Sequence, residues 1–280
     1  MNPLSEKHLQ RSIHLSDVHV DTATLKTKTL KSLRELGPQA DNESDIDVRA
    51  AAAMCQYAYF ILSPGNSPKA DLIDGWKPLL NDFEVDKLIV PGFHMKLQNK
   101  SNGFSSMFFK KQADGIQYYA YCTVGTDELI DWVSNGTQFV SGLATQYTYS
   151  VQLAKQIDSA IGGKAVLWFI GHSLGGGLAS NNSLATGRHA ITFNAAGLNP
   201  LRVNATLLLN NGKDLFHPIK RTKRIHAFVL EGEILNSFLR YFGQSAYGDK
   251  HVIDFKRDEV DTIKRHALTT ILDKWGMKHD

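Results

Sequence analysis

Apolar positions in this chain change period several times, and each change marks an element. "DVRAAAAMCQYAYFIL" (47–62) sets alanines and larger apolar residues at helical spacing before Pro64 and Gly65, which predicts a buried helix ending there. "GFSSMFFKK" (103–111) and "GIQYYAYCTVGT" (115–126) are β-rich runs divided by "QAD", an antiparallel hairpin. "TQFVSGLATQYTYSVQLAKQIDSAI" (137–161) returns to helical spacing and is closed by Gly162 and Gly163. "KAVLWFI" (164–170) is a short continuous apolar run, the mark of a strand buried on both faces.

Directly after it, "SLGGGLASNNSLATG" has too much glycine for a free-standing helix but suits one packed tightly on a sheet. Strand runs "HAITFNAAG" (189–197) and "KRIHAFVLEGE" (223–233) follow, then the strand-like "KHVIDF" and an amphipathic final helix, "RHALTTILDKW". Strands alternating with helices predict an α/β fold with a central, mostly parallel sheet flanked by helices. Residues 1–48 are polar and read as an extension packed on the outside of a single domain spanning 49–280.

Composition narrows the function. The chain has 280 residues, 42% of them hydrophobic, and a formal net charge of +3, too small to argue for a nucleic-acid partner. A basic run, "KRTKR" (220–224), reads as a solvated loop or a contact for anionic lipid headgroups. Only two cysteines occur, Cys55 and Cys122, without the spacing of a disulfide framework or zinc site, so folding in a reduced compartment is expected. His14, Asp17, His19 and Asp21 are metal-ligand types crowded into one polar segment and read as surface; no metal and no cofactor is expected. The start of the sequence lacks the apolar core of about 7–15 residues of a secretory signal, and no run reaches the ~18 of a membrane span. These features predict a soluble protein, either cytoplasmic or exported by a non-classical route.

The chemistry concentrates at "FIGHSLGGGLAS" (169–180). Gly171-His172-Ser173-Leu174-Gly175 is Gly-x-Ser-x-Gly between a buried strand and a helix, the context in which that motif presents a nucleophilic serine. The sharp turn forces an unusual backbone conformation on Ser173, and Gly171 and Gly175 remove the side chains that would collide there. The backbone N–H of Leu174, at the helix start, points to where an oxyanion would form. No Gly-Lys-Ser/Thr ending is present, which disfavours a phosphate loop. A serine nucleophile needs a base and an orienting carboxylate, later in the chain in the order serine, acid, histidine. Glu231 and Glu233 end a strand run, with Glu233 favoured because it follows Gly232 into the loop; the candidate bases are His251 and His266.

"GHSLGGGLAS", with "TVGTDELIDWVSN" upstream and "FNAAGL" and "LEGEILN" downstream, resembles the class 3 lipase family, particularly its bacterial members, from about residue 47 onward. The resemblance implies an α/β-hydrolase fold, a second oxyanion donor at Thr126, and a lid over about 127–137 carrying Trp132. It implies His266 as the catalytic base, with His251, in a strand like the family's structural-histidine strand, as the alternative. Two departures stand out: Val124 occupies the place of the family's usual arginine, and Glu233 that of its usual aspartate.

The implied activity is that of a serine lipase or phospholipase acting on glycerolipid acyl esters through Ser173, Glu233 and His266. Trp132, "VNATLLL" (203–209) and "NSFLRYF" (236–242) are apolar segments suited to an acyl groove or lipid surface. Alternatives are a small-ester carboxylesterase or acyltransferase of the same fold, and a non-catalytic lipid-binding module. The expected partner is lipid at a membrane or micelle surface. A chain exported as an antibacterial effector by a contractile secretion system, as some relatives are, would also need a neutralising partner protein.

Overall fold

The strand runs join one nine-stranded sheet in the computed structural model, which describes residues 18–20, 46–62, 75–81, 84–85, 96–125, 139–198, 222–238, 245–255 and 261–277. Its strands are β1 (Val18–Val20), β2 (Lys77–Leu79), β3 (Gln98–Asn99), β4 (Phe104–Ala113), β5 (Ile116–Val124), β6 (Val166–His172), β7 (His189–Phe193), β8 (Ile225–Leu230) and β9 (Asp249–Ile253). They run in the order β1-β9-β8-β7-β6-β5-β4-β2, with β3 also paired to β4. From β5 through β9 to β1 all pairing is parallel, whereas β2, β3 and β5 are antiparallel to β4. Val18–Val20, from the polar N-terminal segment, thus forms an edge strand beside β9.

Helices α1 (Val48–Leu62), α2 (Phe139–Ile161), α3 (Leu174–Thr186), α4 (Ile234–Phe238), α5 (Thr262–His266) and α6 (Leu268–Lys274) surround the sheet. The alanines of α1 let it lie close to the sheet, and with Ile271 and Leu272 of α6 it covers Ile170, Ile191 and Phe228. Leu153 and Ile157 of α2 and Leu178 of α3 cover the other face, against Tyr121, Leu167 and Phe169. With both faces covered, every residue of β6 is buried, which is why its sequence is continuously apolar from Val166 to Ile170. Asp47 starts α1 by accepting from the Arg49 N–H, and Gly187, at φ 80°, ends α3 by donating to the Ser183 carbonyl.

Two elements differ from the sequence expectation. The hairpin turn is the pair Asp114-Gly115, with φ of 51° and 77°, so Gln112 and Ala113 belong to β4. Positive φ at both positions gives the turn the twist of its flanking strands, and Asp-Gly tolerates it well. The final helix is broken at Ala267 (φ −60°, ψ 136°), which makes His266 the last residue of α5 rather than the first of a longer helix. The carbonyls of Arg265 and His266 are taken by side-chain donors from neighbouring strands instead of continuing a helical ladder.

One proximity had no signal in the spacing. Cys55 of α1 and Cys122 of β5 are free buried thiols with sulfurs 3.7 Å apart. Parallel pairing from β5 to β9 also brings the carboxyl ends of those strands to one edge, so Gly125, Ser173, Asn194 and Glu233 converge there.

Candidate active site

Ser173 leaves β6 with φ 59° and ψ −129° and enters α3 at once. A Cβ at Gly171 would lie 2.3 Å from the Gly175 carbonyl oxygen, and one at Gly175 would lie 2.1 Å from that of Thr123. Only glycine fits at either place. The turn is pinned from below: the Ser173 N–H donates to the Phe193 carbonyl, while the Ser173 carbonyl accepts from Gly177 and Ala196. Sparsely populated backbone of this kind persists where its surroundings over-determine it.

His266 reaches the serine from α5. Its Nε2 is 2.8 Å from Ser173 Oγ and its Nδ1 is 2.8 Å from Glu233 Oε2, and all three side chains are buried. The carboxylate accepts at Nδ1, so the neutral ring carries its proton there and leaves Nε2 to accept from the hydroxyl. Glu233 lies in the loop after β8. Its Oε2 also accepts from the Leu235 N–H at 2.9 Å, and its Oε1 accepts from the backbone and side-chain amides of Asn236. Four donors therefore fix both carboxylate oxygens, and the amide hydrogen bonds at the start of α4 set the direction of the acid.

The two histidines adjoining this relay differ in kind. His172 points to the α1 side, where its Nε2–H donates to the His266 carbonyl at 2.7 Å. Burial, then the neighbouring His266, lowers its pKa to about 3 despite that hydrogen bond, so the ring is neutral and its Nδ1 accepts from Tyr59 Oη at 3.2 Å. His251 stacks on Phe228, with centroids 4.7 Å apart, and makes no hydrogen bond to Ser173 or Glu233 among the described residues. Glu233, not Glu231, meets His266 Nδ1, and the Glu231 backbone carbonyl accepts from Arg265 Nη1 at 3.3 Å.

Three further residues support the relay, and sequence reasoning gave them no role. Asn194, at the end of β7 with φ 41°, donates through Nδ2 to the carbonyls of Arg265 and His266, while its Oδ1 accepts from the Leu230 N–H. It joins the ends of β7 and β8 to the segment bearing His266. Arg265 is buried beneath the Glu233 loop, where a Cβ at Gly232 would meet its Nη1 at 2.6 Å. Asn236 accepts from the Ala246 N–H as well as donating to Glu233. The contacts of Asn194 and Arg265 join segments far apart in sequence, and no local spacing announces them. Only the positive φ of Asn194 has a sequence correlate, in that asparagine tolerates it better than most residues.

At the helix start, a Cβ on Gly125 would lie 3.3 Å from the backbone nitrogens of both Leu174 and Gly175 and 3.0 Å from Tyr59 Oη. A side chain there would crowd the amide edge beside Ser173. Thr126 and Trp132 lie outside the described residues, as do 127–137, 203–209 and 239–242, and residues 220–221 of the basic run. In the N-terminal cluster, His14, Asp17 and Asp21 lie outside them too, and only the backbone of His19 is described. Chemically, the arrangement offers a hydroxyl whose proton can pass to Nε2 while Glu233 balances the imidazolium that forms.

Comparison with known proteins agrees with this architecture. The Tle-like phospholipase domain, described as phospholipase-like, matches residues 51–273. The extracellular phospholipase A1 of Serratia liquefaciens is 37% identical over 108 residues, covering 39% of this chain and 32% of that protein. The matched segment thus spans about a third of that relative's length. A Rhizomucor miehei lipase, solved in a propeptide complex, superposes with a TM-score of 0.50 at 12% identity, over 90% of this chain and 81% of that one. That likeness shows the α/β-hydrolase fold. The chain belongs to the Tle-like phospholipase domain family.

Proposed function

We propose that this protein is a carboxylic ester hydrolase of the phospholipase A type, acting on fatty-acyl esters of glycerophospholipids with Ser173 as nucleophile. The observation that carries the reading is the pair of 2.8 Å contacts joining Ser173, His266 and Glu233. His266 takes the Ser173 proton as Oγ attacks the ester carbonyl, then returns it to the departing alcohol of the lysolipid. Water, deprotonated by the same ring, releases the fatty acid from the acyl-enzyme. The Leu174 N–H and a donor at Thr126 hold the oxyanion; each such donor contributes about 2.7–4 kcal/mol in comparable sites. The family name and that of the Serratia relative support phospholipid as the substrate class.

In this reading Trp132 and its segment cover the serine until a lipid surface is met, and residues 49–280 form the catalytic domain with 1–48 as an extension. No described helix is long and apolar enough to cross a membrane. Release into another cell's envelope would require a neutralising protein in the producing cell.

Fluorophosphonate labelling, run beside fatty-acid release from phosphatidylglycerol and phosphatidylethanolamine vesicles, tests the proposal. The intact protein labels and releases fatty acid, whereas Ser173→Ala and His266→Ala lose both. Faster cleavage of soluble acetyl esters than of vesicles would instead indicate a small-ester esterase. No labelling in the presence of any lipid would indicate a binding module.

A further inference from the structure

The amino-terminal ends of the parallel strands, opposite the serine, carry a second cluster of chemistry. One ring nitrogen from each of His226 and His251, together with a carboxylate oxygen of Asp249, lie within 4.8 Å of one another. His226 is paired in register with Asp249 across β8 and β9, and His251 is two residues further along β9 on the same face. Nearby rings pack the group: His189 stacks on His226 at 6.2 Å between centroids, Trp168 lies 6.4 Å from His226, and Phe228 stacks on His251.

Packing explains why the carbon faces of these rings are buried, but not the fate of their nitrogens. Among the described residues His226 Nδ1 and His251 Nε2 have no hydrogen-bond partner, and both residues are more than nine-tenths buried. Buried polar atoms without a partner need an explanation, of which a bound ion is one, and here two of them belong to rings that converge with a carboxylate. We propose that His226, Asp249 and His251 form a binding site for one divalent transition-metal ion, zinc being the expected occupant. Two imidazoles and a carboxylate suit borderline metals, and three protein ligands leave at least one position for water. Partial exposure of Asp249 gives the ion a way in.

Such an ion would pin β8 to β9 at the end opposite the Ser173 relay. From His226 to Leu230 is four strand residues, about 13 Å at ~3.3 Å each, so the ion takes no part in ester cleavage. The site is independent of the proposed activity and is tested without measuring it.

Untagged full-length protein is dialysed against a chelator, titrated with zinc by calorimetry, and analysed for retained metal. One equivalent of zinc is expected per chain, with a rise in Tm, and cobalt(II) should give visible bands of a low-coordinate site. Asp249→Asn and His226→Gln lower zinc affinity at least about tenfold. Asp249→Asn is isosteric and partly exposed, so it keeps the test decisive if His226→Gln does not fold. Absence of zinc uptake, zinc affinity in both variants equal to that of the unaltered protein, or uptake abolished instead by His14→Gln would each overturn the proposal.

Discussion

The Nε2–H of His172 donates to the backbone carbonyl of His266 at 2.7 Å, so the residue preceding the serine holds the residue that faces it. Asn194 Nδ2 donates to the same carbonyl at 3.1 Å and to that of Arg265 at 3.0 Å. In the proposed mechanism the position of the base therefore depends on His172 and Asn194, which hold its backbone. Asn194→Ala is expected to lower kcat about 10–100-fold with KM on a soluble ester little changed, because a displacement near 1 Å costs on that order. An unchanged kcat in steady-state assays would mean that His172 alone suffices to hold His266.

In the proposed mechanism Glu233 acts on the orientation and charge of His266 rather than on the ester. Glu233→Gln keeps the shape but offers an amide where Nδ1 now meets a carboxylate, and kcat is expected to fall by about 10³–10⁴. The rate of fluorophosphonate labelling should fall in parallel, which single-turnover measurement would show. Glu233→Asp should lose less than Glu233→Gln, since a carboxylate remains.

Gly125 leaves clear the space beside the amide nitrogens of Leu174 and Gly175. Gly125→Val would force β5 or Tyr59 aside, and loss of one oxyanion donor is worth about 10²–10³ in kcat. Circular dichroism should stay near wild type while hydrolysis falls. Retention of full activity would place the oxyanion elsewhere.

The depressed pKa of His172 makes a statement about stability. The unfolded chain takes up a proton here below about pH 6.5, whereas the folded chain refuses it until about pH 3. Folding is therefore increasingly opposed as pH falls through that window. His172→Gln retains a donor but not the titration, so between pH 6 and 4 its stability should fall less steeply, by about 1.4 kcal/mol per pH unit. Urea midpoints measured across the range would test this, and identical slopes would contradict it.

How much of this could be read from the sequence differs by residue. Ser173 was legible because its motif is local: an apolar run, two glycines and a helix start lie within a dozen positions. Glu233 was legible as the residue that follows a strand and a glycine into a loop. The residues alone left His251 and His266 open, because both sit near strand or helix boundaries; their difference lies in which face and edge of the sheet they reach. The break at Ala267 was not legible, since alanine favours a helix and the competing donors, His172 and Asn194, come from other strands. The meeting of Cys55 with Cys122 and the ring cluster around His226 likewise arise across strands, where linear spacing carries no signal.

The edge strand β1 has a consequence for synthesis. Val18 pairs with His251, roughly 230 residues later, so at about 5–20 residues per second the first strand waits on the order of tens of seconds for its partner to leave the ribosome. His266 emerges later still, and the nascent chain carries Ser173 without its histidine partner until then. A ribosome-bound fragment ending before α5 would thus carry the serine elbow without the histidine proposed to activate it.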